Sequence, residues 1–176
     1  MKQAKNIQTV ILGIGNILLG DEGIGVHVAK KIEKMNLPSH IKVINGATAG
    51  YSLLPIFETY KDSKFLIIDA VKISNEKKGD SRSIKGGIYI IPLSELYNIS
   101  KLNYPDFEFI SFHQTGLMDV LTLLYMTSKI KIEGYLIGIN IFNSSSANLF
   151  HTFSMKLSTE VEQKIPEIIE ILKKHI

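Results

Sequence analysis

The sequence predicts an α/β protein, a three-layer α/β/α sandwich around a mostly parallel sheet of five or slightly more strands, with room for an antiparallel member. Three observations carry that prediction. Lys64-Phe65-Leu66-Ile67-Ile68 is a continuous apolar run, as expected of a strand covered on both faces in a parallel sheet. Strand-length apolar runs alternate with segments of helical spacing along the chain. At 176 residues and 45% hydrophobic content, the chain is long enough for one well-buried core, so residues 1–176 are expected to form a single domain.

Taken in order, residues 9–14 read as the first strand. The helix after Gly23 puts Ile24, Val28, Ile32 and Met35 on one face and Lys30, Lys31 and Lys34 on the other, and Leu37-Pro38 ends it. Lys42–Ile44 is a short second strand. Gly46-Ala47-Thr48-Ala49-Gly50 turns the chain into a helix carrying Leu53, Leu54, Phe57 and Tyr60, where Pro55 is tolerable only in the first turn. The third strand ends on Asp69. Residues 72–87 are polar, charged and glycine-containing and read as an exposed loop. Ile88–Ile91 is the next strand; no helix precedes it, so an antiparallel placement is open to it. An irregular stretch over 97–110 leads through Ser111–Gly116 to a helix that turns Leu117, Val120, Leu121 and Leu124 inward. Tyr135–Ile141 is the last core strand, and 143–148 a Ser-rich loop. Thr159, with Glu162 three residues on, is the expected cap of the C-terminal helix. Its stripe is Val161, Ile165, Ile168, Leu172 and Ile176, and Pro166 should kink or restart it.

Composition narrows the chemistry. A net charge of +3, with lysines scattered in short pairs and concentrated only around 72–85, gives little support for a nucleic-acid partner. Cysteine is absent, which excludes disulfides, thiolate metal sites and a cysteine nucleophile, and fits a reducing cytoplasm. No apolar run reaches membrane-spanning length, and residues 1–6 are not followed by a signal-type core, so no membrane partner is expected. A monomer is the expected state.

The chain is organised around Val10–Gly25, a buried strand emptying into a glycine-punctuated turn with two adjacent acids. Gly13-x-Gly15 after a strand has a dinucleotide-binding look, but Leu18 stands where that motif needs a third glycine and Asn45 where it needs an acid. No Gly-Lys-Ser/Thr follows, so a P-loop is unsupported. Asp21 and Glu22 would repel a pyrophosphate; they suit a cation.

This stretch resembles the opening of the hydrogenase maturation endopeptidases, which trim the C-terminal extension from the precursor of the large subunit of nickel-iron hydrogenases. The family pattern is met by Gly13, Gly15, Asn16, Asp21, Glu22, Gly23 and Gly25. The resemblance runs from about residue 9 into the C-terminal helix. Residue by residue, it implies that Glu22, Asp69 in Ile68-Asp69-Ala70-Val71, and His113 in His113-Gln114-Thr115-Gly116 are both catalytic and metal-binding. Asn16, Asp21, Asn45 and Thr48 are supporting or substrate-binding positions, with Asp21 orienting the turn. The sheet argument converges on the same three residues, because ligands in open α/β sheets bind beyond the carboxyl ends of the strands. Two carboxylates and an imidazole suit nickel, zinc or similar ions. The remaining histidines, His27, His40, His151 and His175, read as solvated.

Three departures from the family stand out. Asn45 replaces an acid, Gly46-Ala47-Thr48-Ala49-Gly50 replaces Gly-Gly-Thr-x-Gly, and the last strand reads Gly138-Ile139-Asn140-Ile141-Phe142 where Gln-Pro often ends it. The resemblance implies that nickel already installed in the precursor is recognised by the three ligands, so that cutting waits on metal loading; other divalent cations are expected to occupy the site in its absence. The metal could then polarise the scissile carbonyl or lower the pKa of a bound water, with one carboxylate as base. Neither Gly-x-Ser-x-Gly nor His-Glu-x-x-His is present, which disfavours a serine hydrolase or an ordinary zinc protease. The alternatives are a non-catalytic chaperone for the metal-loaded precursor and a nucleotide-binding oxidoreductase.

Overall fold

In the computed structural model, residues 7–48, 50–71, 85–97, 116–141 and 153–176 are described. Five strands form one sheet: β1 (Thr9–Gly13), β2 (Ile41–Asn45), β3 (Lys64–Val71), β4 (Ile88–Pro92) and β5 (Glu133–Asn140), in the order β2-β1-β3-β5-β4. The first four in that order run parallel, and β4 pairs antiparallel with β5 at the edge. The strand that lacked a preceding helix is thus the one that reverses.

Alternation along the strands sorts the core into two layers. Val10, Leu12, Phe65, Ile67 and Leu136 face one way, against Phe57 of α2 (Leu54–Thr59), Leu93 and Leu96 of α3 (Leu93–Leu96), and Val120, Leu121 and Leu124 of α4 (Leu117–Ser128). Ile11, Leu66, Ile68, Ile137 and Ile139 face the other way. They meet Ile24, Val28 and Ile32 of α1 (Ile24–Glu33), Val161 of α5 (Thr159–Glu162), and Ile165, Ile168 and Leu172 of α6 (Ile165–His175). Every residue of β1 and five of the eight in β3 from Phe65 onward are buried in succession, which is why those strands are apolar without alternation.

Prolines act where their missing N–H does no harm. Pro55 lies in the first turn of α2, and Pro166 in the first turn of α6, so the C-terminal helix restarts there rather than kinking. Several boundaries differ from the sequence reading. β3 continues through Asp69 to Val71, because Ala70 and Val71 still find partners in Ile139 and Asn140 on β5. Met35 follows the end of α1, and it and Ile176 are exposed rather than buried. The short α3 was not foreseen. Ser158, not Thr159, precedes the C-terminal helix as its cap residue. The expected loops over 72–84, 98–110 and 143–148 and the turn 111–115 lie outside the described residues.

The close seating of α1 on the sheet depends on Gly25. A methyl group there would overlap the carbonyl oxygens of Ile14 and Ile68, both backbone and unable to yield. Gly25→Ala is therefore expected to lower unfolding free energy by about 3 kcal/mol or more, read by urea titration; a loss below about 1 kcal/mol would contradict this packing.

Candidate active site

The strand order reverses about β1: its successor β2 lies on one side and β3 on the other. In open α/β sheets such a reversal opens a crevice at the carboxyl ends. Here backbone bonds lock the crevice walls together. Ile14 N donates to Ile68 O at 2.9 Å, Gly46 N to Gly13 O at 2.8 Å, and Gly15 N to Ala47 O at 2.8 Å.

After β1 the chain folds back sharply. Asn16 Oδ1 accepts from Leu18 N at 3.0 Å and Asn16 O from Leu19 N at 3.1 Å, bending the chain into a 3-10 turn at Gly20–Gly23. Gly15, at φ +146°, lies so close to the carbonyl of Glu22 that a Cβ would overlap it. This approach needs glycine at both levels, conformation and space.

Asp21 and Glu22 then part company. The Asp21 carboxylate accepts from Ser158 N at 2.6 Å and Ser158 Oγ at 2.9 Å, and pairs with Lys85 Nζ at 2.7 Å. It ties the turn to the start of α5 and to the segment before β4, in keeping with an orienting role. Glu22 turns inward and is only 4% exposed.

Asp69 is 6% exposed and sits within β3, not at its tip. Its Oδ1 accepts from Ala70 N at 2.8 Å. Burial pushes its pKa up to about 7, the Ala70 hydrogen bond opposes that shift, and the neighbouring Glu22 charge adds to it. The structure therefore brings Glu22 and Asp69 into one electrostatic neighbourhood. His113 lies outside the described residues, and among the described residues no three His, Cys, Asp or Glu side chains cluster as a metal site.

The supporting positions resolve into turn chemistry. Asn45 Oδ1 accepts from Ala47 N at 2.9 Å, and Ala47 adopts φ +48°, a left-handed conformation unusual for a residue with a Cβ. The side chain of Asn45 thus supports the strained residue that stands where the family pattern has glycine. Asn45 and Thr48 are both exposed, while Asn16 is half-buried.

Three histidines are not solvated as expected. His27 is half-buried, with Nε2 buried and lacking a hydrogen-bond partner among the described residues. Burial and then Lys30 hold its pKa below the usual value, with Glu162 opposing them. His175 donates from Nδ1 to Ile171 O at 2.8 Å and packs edge-on against Tyr135. His40 is half-buried as well, and His151 lies outside the described residues.

The sequence reading overlooked two contributors. Asn140 is fully buried at the carboxyl end of β5. Register pairs Val71 with Asn140 and Asp69 with Gly138, so Asn140 and Asp69 share a sheet face, with no side chain directly across from Asp69. Its signal was an amide closing an otherwise apolar strand. Lys85 carried no local signal, since its partner lies 64 positions away, from 85 to 21.

Comparison with known proteins decides the class. A family model described as hydrogenase maturation protease, HycI, matches residues 26–175. The chain belongs to the hydrogenase maturation protease family. It is 30% identical over 134 residues to the Escherichia coli hydrogenase 2 maturation protease, covering 76% of this chain and 73% of that one. A relative from Methanocaldococcus jannaschii assigned to maturation proteases is 36% identical over 101 residues, 57% of this chain; the match spans 60% of the relative's length. Among solved structures, the hydrogenase maturating endopeptidase HybD from Escherichia coli superposes with a TM-score of 0.67 at 28% identity, covering 94% of this chain and 89% of that chain. This membership places the chain among the endopeptidases of hydrogenase maturation and supports the three-layer fold around a mixed five-stranded sheet.

The raised pKa of Asp69 has a stability consequence of definite sign. The folded state keeps a proton that the unfolded chain releases near the ordinary carboxyl value of 3.8. This contribution to stability is therefore intact at low pH and lost as pH rises through about 7. Asp69→Asn should raise the melting temperature relative to wild type at pH 8 and have a much smaller effect at pH 4. A difference independent of pH would show that Asp69 titrates normally.

Proposed function

We propose that this protein is the endopeptidase that removes the C-terminal extension from the precursor of a nickel-iron hydrogenase large subunit, after nickel has been inserted. The observation that carries the reading is the apposition of Glu22 and Asp69, buried side by side beyond the carboxyl ends of β1 and within β3, in a chain of the maturation-protease family. Two buried carboxylates at the end of a parallel sheet suit a divalent cation, and in this reading nickel carried by the substrate is that cation. His113 is the proposed third ligand. In this reading nickel belongs to the precursor, and the protease reads its presence before cutting.

The chemistry follows from the same pair. A carboxyl titrating near neutrality is suited to take a proton from an attacking water and deliver it to the departing amine. Asp69 fits that role, and the nickel-bound end of the substrate holds the scissile bond beside it. Asn16, Asn45 and Thr48 line the rim formed by the turns after β1 and β2, and Asp21 keeps that rim in place. The protein is proposed to act in the cytoplasm as a monomer. No helix among the described residues is long and apolar enough to cross a membrane.

Purified protein incubated with a nickel-loaded large-subunit precursor should shorten it by the mass of its tail, whereas a nickel-free precursor should remain intact. Glu22→Gln, Asp69→Asn and His113→Gln should each lower the rate by at least about a hundredfold, within the range general acid–base groups contribute. Full processing by all three variants, or binding of the precursor by wild type with no mass change, would contradict the reading; the second result identifies a chaperone.

A further inference from the structure

Beside the acidic turn the chain makes a second, smaller structure. Leu19 and Ser154 form a single parallel bridge, in which Ser154 N donates to Leu18 O at 3.0 Å and Gly20 N to Ser154 O at 2.6 Å. In such a bridge both main-chain groups of Ser154 point toward Leu19, so those of Phe153 and Met155 point the other way. No backbone group of Phe153 or Met155 is hydrogen-bonded among the described residues. Among the described residues, the bridge therefore leaves the outer main chain of Phe153 and Met155 unpaired, just before the chain bends at Met155 and Lys156.

Side chains make the edge distinctive. Residues flanking a paired position project to the opposite face from it, so Leu18, Phe153 and Met155 emerge together. They are 48%, 85% and 60% exposed. An exposed apolar edge is ordinarily avoided because it invites strand pairing. Here Leu18 lies four residues upstream of Glu22, and Asp21 binds Ser158 three residues after Met155, so the edge is tied to the proposed catalytic turn.

We infer that this edge is the substrate-docking strand: an extended, apolar stretch of the precursor polypeptide near the scissile bond pairs with the main chain of Phe153 and Met155 and packs on Leu18, Phe153 and Met155. The inference rests on the endopeptidase reading and adds where the polypeptide lies. Alternating donors and acceptors at an open edge select an extended peptide, which supplies the complementary pattern. Size argues against a second copy of this chain. Three side chains cover at most on the order of 400 Å², about half of the roughly 800 Å² per partner in a stable interface. A short strand held at modest affinity suits a substrate that must leave after cutting. Leu18 and Leu19, the other arm of the bridge, continue directly into the turn of Glu22, so a strand docked on Phe153 and Met155 lies one strand away from that turn.

The test measures cleavage of the nickel-loaded precursor by wild type, Phe153→Asp/Met155→Asp and Phe153→Leu/Met155→Leu, with melting temperatures as a folding check. The aspartate pair should raise KM at least tenfold while changing kcat less than about twofold, and the leucine pair should restore KM to within threefold of wild type. An unchanged KM in a folded aspartate variant, or a loss confined to kcat, overturns the docking strand and leaves the endopeptidase reading standing. Failure of wild type to cut the precursor overturns the endopeptidase reading, and the docking strand with it. Should the aspartate pair fail to fold, Leu18→Asp and a photo-crosslinking residue at 153 replace it: crosslinks to a precursor segment adjacent to the cut site support the edge, and crosslinks only elsewhere or none overturn it.

Discussion

Two carboxylates held out of water beside each other are the feature on which everything else in this molecule bears. Burial of Asp69 disfavours its charged form, and the Glu22 charge adds to that effect. Asp69 has one compensating hydrogen bond, from Ala70 N, and still titrates near 7. A fold that only needed a packed core would put an apolar side chain at position 69 of β3, as it does at Ile67 and Ile68. The arrangement instead keeps a buried carboxyl that favours a proton, and the proposed reaction gives a reason to keep it.

Holding that pair together takes structure from distant parts of the chain. Gly15 allows the turn to close on the carbonyl of Glu22, Gly25 lets α1 sit directly on the ends of β1 and β3, and Asp21 binds Ser158 and Lys85. Adjacent acids in the sequence thus do different work: Asp21 binds Ser158 and Lys85, and Glu22 turns inward and is buried. The same bridge that anchors the turn, Leu19 to Ser154, presents the apolar edge proposed to receive the polypeptide. The anchor, the proposed catalytic turn and the proposed docking edge therefore share one set of contacts.

Much of this was legible in the chain itself, for physical reasons that can be named. Lys64–Ile68 announced a doubly covered strand because it lacks alternation, and the missing helix before Ile88 allowed the antiparallel edge. The paired acids and glycines of residues 13–25 marked the catalytic turn. What stayed hidden were effects of pairing across the fold. Asp69 looked like the end of a strand, yet hydrogen bonds from β5 carry the strand two residues further. His27 looked solvated by helical periodicity, yet its Nε2 is buried, with Gly23 of the preceding turn close to its ring. Asn45 looked like a lost charge, whereas its amide oxygen supports Ala47 in a left-handed turn. Lys85 carried no local pattern at all.

The most direct measurement is anomalous diffraction from a crystal of this protein soaked in cadmium, an ion that oxygen and imidazole ligands bind readily. The account predicts a single dominant peak between the carboxylates of Glu22 and Asp69, lost in a Glu22→Gln crystal. Strong cadmium sites elsewhere, with none between those two side chains, would contradict it.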